Sequence, residues 1–223
     1  MLRALIANQA GFLGAVLIVI GYALMLLIMI PAHELAHGYA AYCLGDPTAK
    51  RMGRLTLNPV AHFDKIGTIM MLLIGLGYAK PVPVNPRYFH NPNRDMALTA
   101  LAGPLSNFLM ATASVGIFSL IVRCVDSAMV VLGAQIVLVS VFAGVNLGLM
   151  VFNLLPIYPL DGSRIFAALL PNKWLWKMQQ YQMYISFILL AIVFSGLLDG
   201  PLSWIESLLG GLICRMFGLP NLF

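Results

Sequence analysis

From Gly11 to Pro31 the chain carries no charged residue, and so long an apolar run limits the fold more than any motif does. A spanning helix needs about 20 mostly apolar residues. Four segments qualify: 11–43, roughly 96–122, roughly 128–155 and 181–198. Segment 202–217 is a shorter fifth candidate, broken by Glu206 and several glycines. The run 66–78 is short for a span and reads as a re-entrant or partly inserted piece. Of the 223 residues, 61% are hydrophobic and 9% charged, where a soluble domain carries about a quarter charged. The expected fold is an all-α integral membrane protein, a bundle of about five transmembrane helices with a re-entrant or extended segment between the first two. Residues 1–223 read as one membrane-embedded domain, with a core at about 11–170 and C-terminal helices at about 181–218. The N-terminal run exceeds a signal-peptide h-region and has no evident cleavage site, so it is expected to be retained.

Basic residues fix an orientation. With the first segment running from outside to cytoplasm and 66–78 not crossing, eleven Lys and Arg, Arg215 among them, fall on the cytoplasmic side. Only Arg3 and Arg123 fall outside. That is a strong positive-inside bias, and it would largely vanish if 66–78 crossed. The same placement in loops argues against a nucleic-acid partner for the net charge of +5. The expected location is a prokaryotic plasma membrane, multi-pass. Cys43, Cys124 and Cys214 are far apart and show no CxxC spacing, so they read as small apolar core residues rather than a disulfide framework.

The first apolar run ends in PAHELAHGYAAY, residues 31–42. Residues four apart on a helix share a face, so His33 and His37 can point two imidazoles at one metal. Glu34 is adjacent to the first of them, where it reaches a metal-bound water. Ionisable residues at membrane depth usually mark function. The plainer alternative is two histidines hydrogen-bonded within the bundle and a glutamate paired with a basic partner. Catalytic zinc takes three protein ligands and keeps one position open. His62 and His90 remain, as do several acids; topology sets aside Asp126 and Asp199. Asp161 stands out in FNLLPIYPLDGSR, residues 152–164, where Pro156 and Pro159 break a helix and Gly162 permits a close turn. The alternative there is Asp161 as the cap of the helix that follows. Residues 77–93 hold four prolines, with Val82 and Val84 alternating among them, so this backbone is expected to be extended.

HELAH at the end of a membrane helix, with N-x-x-P-x-x-P-L-D-G far downstream at 153–162, resembles the site-2 protease family of intramembrane zinc metalloproteases. KPVPVNP at 80–86 and AGPLSN at 102–107 also look like family segments, and the resemblance covers roughly 15–170. It implies His33, His37 and Asp161 as ligands of one Zn²⁺ per chain. Glu34 would be the catalytic base, and Asn153 a donor to the developing oxyanion. The implied partner is a transmembrane protein substrate in the lipid bilayer, cut in or near its spanning segment, with the active site toward the cytoplasm. Some relatives carry a PDZ or CBS domain; the length leaves no room for either. A substrate helix must unwind to be cut, and Val82, Pro83, Val84 and Asn85 could receive it as an added strand; a proline-stiffened loop is the alternative. The competing function is a membrane metal-binding protein or transporter using the same ligands, which has no need for a base at Glu34. An inactive scaffold is disfavoured by the intact motif.

Smaller readings complete the map. Pro31 removes a helix bond and is read either as widening water access or as a tolerated kink. Gly103, Ser106 and Asn107 suit close helix packing, with Asn107 hydrogen-bonding another helix. Trp174, Trp176, Tyr181 and Tyr184 read as an interfacial aromatic belt.

Overall fold

An unpaired backbone amide or carbonyl costs several kcal/mol in lipid, so apolar runs of this length close their hydrogen bonds internally as helices. The computed structural model describes residues 16, 19–21, 23–64, 67, 80–168 and 180–223, and it is all-helical there, with no strand among the described residues. Three helices are long and apolar enough to cross a membrane. They are α1 (Val19–Cys43), α3 (Pro92–Cys124) and α4 (Ala128–Asn153), with a single-turn α2 (Thr48–Arg51) between the first two. A short α5 (Asp161–Ala167) follows, then α6 (Gln182–Ser195) and α7 (Asp199–Met216). Many large apolar side chains on these helices are exposed, among them Leu105, Leu109, Ile117, Leu120 and Met129. Surface of this kind needs a lipid or protein neighbour.

The C-terminal region departs from the expected bundle. The sequence suggested two further spans, to make about five. Instead α6 stops after 14 residues, where Gly196 adopts a left-handed conformation. At 1.5 Å per residue that is about 21 Å, short of the roughly 30 Å hydrocarbon core. Helix α7 leaves at 79° to α6, and the bent pair is either one broken span or a re-entrant loop, giving three spans or up to four among the described residues, so that about five are not confirmed. The Arg123 guanidinium, at the end of α3, donates to the Phe217 carbonyl, just past α7, at 2.9 Å. Arg215 therefore shares the end of the bundle with Arg123 and not with the HELAH motif. Moving it leaves ten basic residues against three, still a strong bias.

Helix α3 is the hub, packing against α1, α4 and α5. Its start is well specified: Asn91 caps the Arg94 amide, Pro92 occupies the first turn, and Asp95 accepts from the Asn91 amide at 3.0 Å. A buried core of Ala111, Val115, Ala143, Leu147, Ile213 and Cys214 joins α3, α4 and α7. Of the cysteines only Cys214 is buried; Cys43 and Cys124 are exposed at helix ends, against the expectation of core residues. Two π-helical stretches interrupt the spans, Met25–Met29 in α1 and Gln135–Ala143 in α4. The first directly precedes Pro31, so the irregularity expected there takes the form of a widened turn. Between α2 and α3 the described backbone at 80–85 is non-helical and extended at Asn85, in line with its prolines. The re-entrant run 66–78, apart from Gly67, lies outside the described residues. So do Trp174 and Trp176, while Tyr181 and Tyr184 are exposed, with ring centroids 6.4 Å apart.

Candidate metal centre

Three ligand atoms from two distant parts of the chain meet at one point. His33 Nε2 and His37 Nε2 are 3.0 Å apart on successive turns of α1. Asp161 Oδ2, at the start of α5, lies 3.3 Å from the first and 3.2 Å from the second. A tetrahedral centre with ligand bonds of about 2.0–2.1 Å has edges of about 3.3–3.4 Å. The triangle thus has nearly the size of one face of a zinc tetrahedron. Its atoms also need a common partner: Asp161 Oδ2 is buried without a hydrogen bond of good geometry. No other such cluster of His, Cys, Asp or Glu occurs among the described residues. The donor set, two neutral imidazoles and a carboxylate, is one that zinc hydrolases use.

Local structure explains how each ligand arrives. The His37 Nδ1–H donates to the Thr99 carbonyl of α3 at 2.8 Å. That bond fixes the tautomer and leaves Nε2 with a lone pair for a metal. Helix α3 comes this close because residue 103 is glycine. A Cβ there would overlap His37 Nε2 and lie 2.6 Å from His33 Cε1. Asp161 is delivered by a different glycine. Gly162 sits in helical conformation, so it is needed for space rather than for a turn. A Cβ there would overlap the carbonyl oxygens of Leu154 and Leu155, which end α4. The capping alternative for Asp161 gives way: it is the first residue of α5, Leu160 is the cap position, and the carboxylate faces the histidines. Beyond the third apolar helix, burial alone would push this carboxyl up. With the two histidines protonated rather than holding a metal, their hydrogen bonds and charge would outweigh that burial and hold Asp161 below the usual carboxylate range.

Glu34 is half-buried beside this cluster, and its Oε2 accepts the Val82 amide at 2.9 Å. The extended 80–85 segment therefore reaches the carboxylate next to the first ligand. Val82 is buried against Gly38, where a Cβ would stand 3.0 Å from Val82 Cγ1. Pro83, Val84 and Asn85 are half-buried, and the Asn85 amide donates to Asp46. Asn153 is the last residue of α4, and its side chain makes no hydrogen bond among the described residues. It is not part of the triangle. His62 is buried and bonded to the Thr56 carbonyl, and His90 is exposed, so neither competes as a ligand. Asn107 is fully buried, but neither of its amide atoms finds a partner among the described residues, unlike the interhelical bond expected. Sequence reading missed Thr99 and the role of Gly103. A backbone carbonyl carries no sequence signal, and Gly103 read only as a small packing residue.

Comparison with known proteins agrees with this chemistry. The model of Peptidase family M50 matches residues 114–195, a stretch that holds Asn153 and Asp161 but not the histidines. The chain is 41% identical over 182 residues to the Bacillus subtilis protein named "Putative zinc metalloprotease YwhC", covering 80% of this chain and 82% of that one. It is 30% identical over 196 residues to "Putative zinc metalloprotease Rip2" of Mycobacterium tuberculosis, covering 82% of this chain and 72% of the relative. The protein of the same name in Mycolicibacterium smegmatis is 27% identical, covering 73% of this chain and 60% of the relative. No solved structure matches.

Proposed function

Since this chain belongs to peptidase family M50 and is a zinc metalloprotease, we propose that it is an intramembrane endopeptidase that cuts other membrane proteins in or near their spanning segments. The observation that carries this reading is the triangle of His33, His37 and Asp161, reached by Glu34, on helices apolar enough to cross a membrane. In this reading the two histidines and Asp161 hold zinc. Bound zinc supplies Lewis acidity and a water acidified to near neutral pH. Glu34 takes the proton from the attacking water and returns it to the leaving amine. Its orientation is supported by the Val82 amide. Asn153 would donate to the developing oxyanion, a contribution of about 3–4 kcal/mol to the barrier. A substrate helix has its carbonyls bonded internally and must unwind first. Residues Val82–Asn85 would then offer replacement hydrogen bonds to the exposed backbone. The positive-inside bias supports a multi-pass topology with the active site toward the cytoplasm, in a prokaryotic plasma membrane.

The test pairs metal content with cleavage. Wild type, Glu34→Gln and Asp161→Ala are purified in detergent, assayed for zinc, and incubated with a panel of single-span membrane proteins. The expected result is about one zinc per wild-type chain with cleavage, zinc without cleavage for Glu34→Gln, and neither for Asp161→Ala. Zinc binding by wild type with no cleavage, but with metal flux in liposomes that Glu34→Gln leaves intact, would replace the protease with a metal-handling protein.

A further inference from the structure

The 80–85 segment is not held by prolines alone. Two buried charged residues, both from the stretch after the HELAH helix, grip its ends. Arg54 is only 8% exposed, and its guanidinium donates to three carbonyls: Ala61, Lys80 at 2.6 Å and Pro81 at 3.2 Å. Asp46 is fully buried. Its Oδ2 accepts the Asn85 amide at 2.7 Å, while Oδ1 accepts the Thr48 amide at 2.9 Å and the Thr48 hydroxyl at 2.5 Å. Between these anchors Glu34 takes the Val82 amide. Side chains thus pin the segment at three points over six residues, two of them from outside the metal centre, and the Lys80 amide also donates to the His62 carbonyl at 2.9 Å.

Burying a guanidinium and a carboxylate is costly, and removing either one's partners leaves an uncompensated buried charge. A loop that only connected α2 to α3 would gain nothing from such anchors. Their geometric effect is specific: they fix which amide of the segment reaches Glu34. They also leave the Val84 amide and the carbonyls of Val82, Pro83 and Val84 without a hydrogen bond among the described residues. Those are the groups an unwound substrate can use. We propose that Asp46 and Arg54 are positioning residues that clamp the 80–85 segment in register against Glu34, and so select which substrate bond is presented for cutting. The proposal rests on the substrate-strand reading above and deepens it.

The experiment uses full-length Asp46→Asn and Arg54→Lys. Asparagine keeps one oxygen for Thr48 but replaces the acceptor for Asn85 with a second donor. Lysine keeps the charge of Arg54 but not its fork across three carbonyls. Zinc content is measured first and is expected to equal wild type. Hydrogen exchange of peptides spanning 80–85 is expected to rise at least tenfold in both variants. On a substrate that wild type cuts and Glu34→Gln does not, KM is expected to rise severalfold and the cut to spread to neighbouring bonds, read by mass spectrometry. A merely structural role would lower yield or zinc without moving the cut. Unchanged exchange across 80–85 overturns the clamp, and so does faster exchange with wild-type KM and cut position. If wild type cuts none of the panel, the protease reading is what fails, and the exchange result alone decides whether the anchors hold the segment.

Discussion

The two ends of the bundle use glycine in the same way and to opposite purpose. At the HELAH end, Gly103 and Gly162 make room for groups that cannot yield. Against Gly103 stand the His37 imidazole, bonded to α3, and the neighbouring His33 ring; against Gly162 stand the backbone carbonyls of Leu154 and Leu155, just past α4. At the other end, Gly116 and Gly210 make room for Phe217 and Phe223, aromatic rings of the C-terminal tail. The contact at Gly210 is as tight as those at the HELAH end and the one at Gly116 is looser, at 3.0 Å, but it is in freedom that the neighbours differ most. An aromatic side chain with no hydrogen bond of its own can swing aside, whereas the His37 ring, bonded to the Thr99 carbonyl at Nδ1, cannot. Close packing therefore protects geometry at one end and only burial at the other.

Gly103→Ala should break that contrast most severely. Its Cβ overlaps the His37 nitrogen that completes the triangle, so α1 and α3 must separate or the ring must turn out of its bond to Thr99. The expected outcome is loss of bound zinc and of cleavage, in a protein that still inserts as helices. Zinc content and circular dichroism check it together, and a zinc-replete Gly103→Ala would show that the rings have slack.

Glu34→Gln removes the proposed base without disturbing the packing. Amide and carboxylate are the same size, and the Val82 amide still finds an oxygen acceptor. Zinc should stay at the wild-type level while cleavage falls by about 10³-fold, the middle of the range for general-base loss. Asn153→Ala is expected to cost less, about three-hundredfold in kcat with KM nearly unchanged, as for loss of one oxyanion donor. A fall in KM-weighted binding with unchanged kcat would assign Asn153 to substrate contact instead.

How much of this was legible follows from how each feature is encoded. His33, Glu34 and His37 were readable because helical spacing alone puts them together. Asp161 was readable only as one of two options, since a carboxylate beside proline and glycine is also what a helix cap looks like. The choice needed the third dimension. The spans α1, α3 and α4 were visible as apolar length. The bend between α6 and α7 was not, because Gly196 marks a break without giving its angle, and a 79° turn and a hairpin read alike. Asp46 and Arg54 were the least legible. Each looks like an ordinary loop charge until its burial and its backbone partners at 80, 81 and 85 are seen.

The smallest effect is expected at the tail, and it sharpens the comparison from the other side. In Gly210→Ala the new Cβ overlaps the Phe223 ring. Phe223 is held by a 3.4 Å bond from the Ser207 hydroxyl to its carbonyl and by its own amide on the Asn221 side chain, and neither bond holds the ring. Both are weakly restrained, so the ring can leave its site without shifting α7. What is lost is part of the burial of one aromatic side chain, and overpacking of this kind costs about 1–3 kcal/mol. The bond between Arg123 and the Phe217 carbonyl lies before the displaced residue and should persist. The variant should therefore unfold a few degrees earlier in detergent, with zinc per chain, kcat and cut position all at wild-type values. Should zinc or kcat fall with it, the tail would be coupled to the metal centre through α7 and α4, and the two ends of the bundle would be a single mechanical unit rather than two.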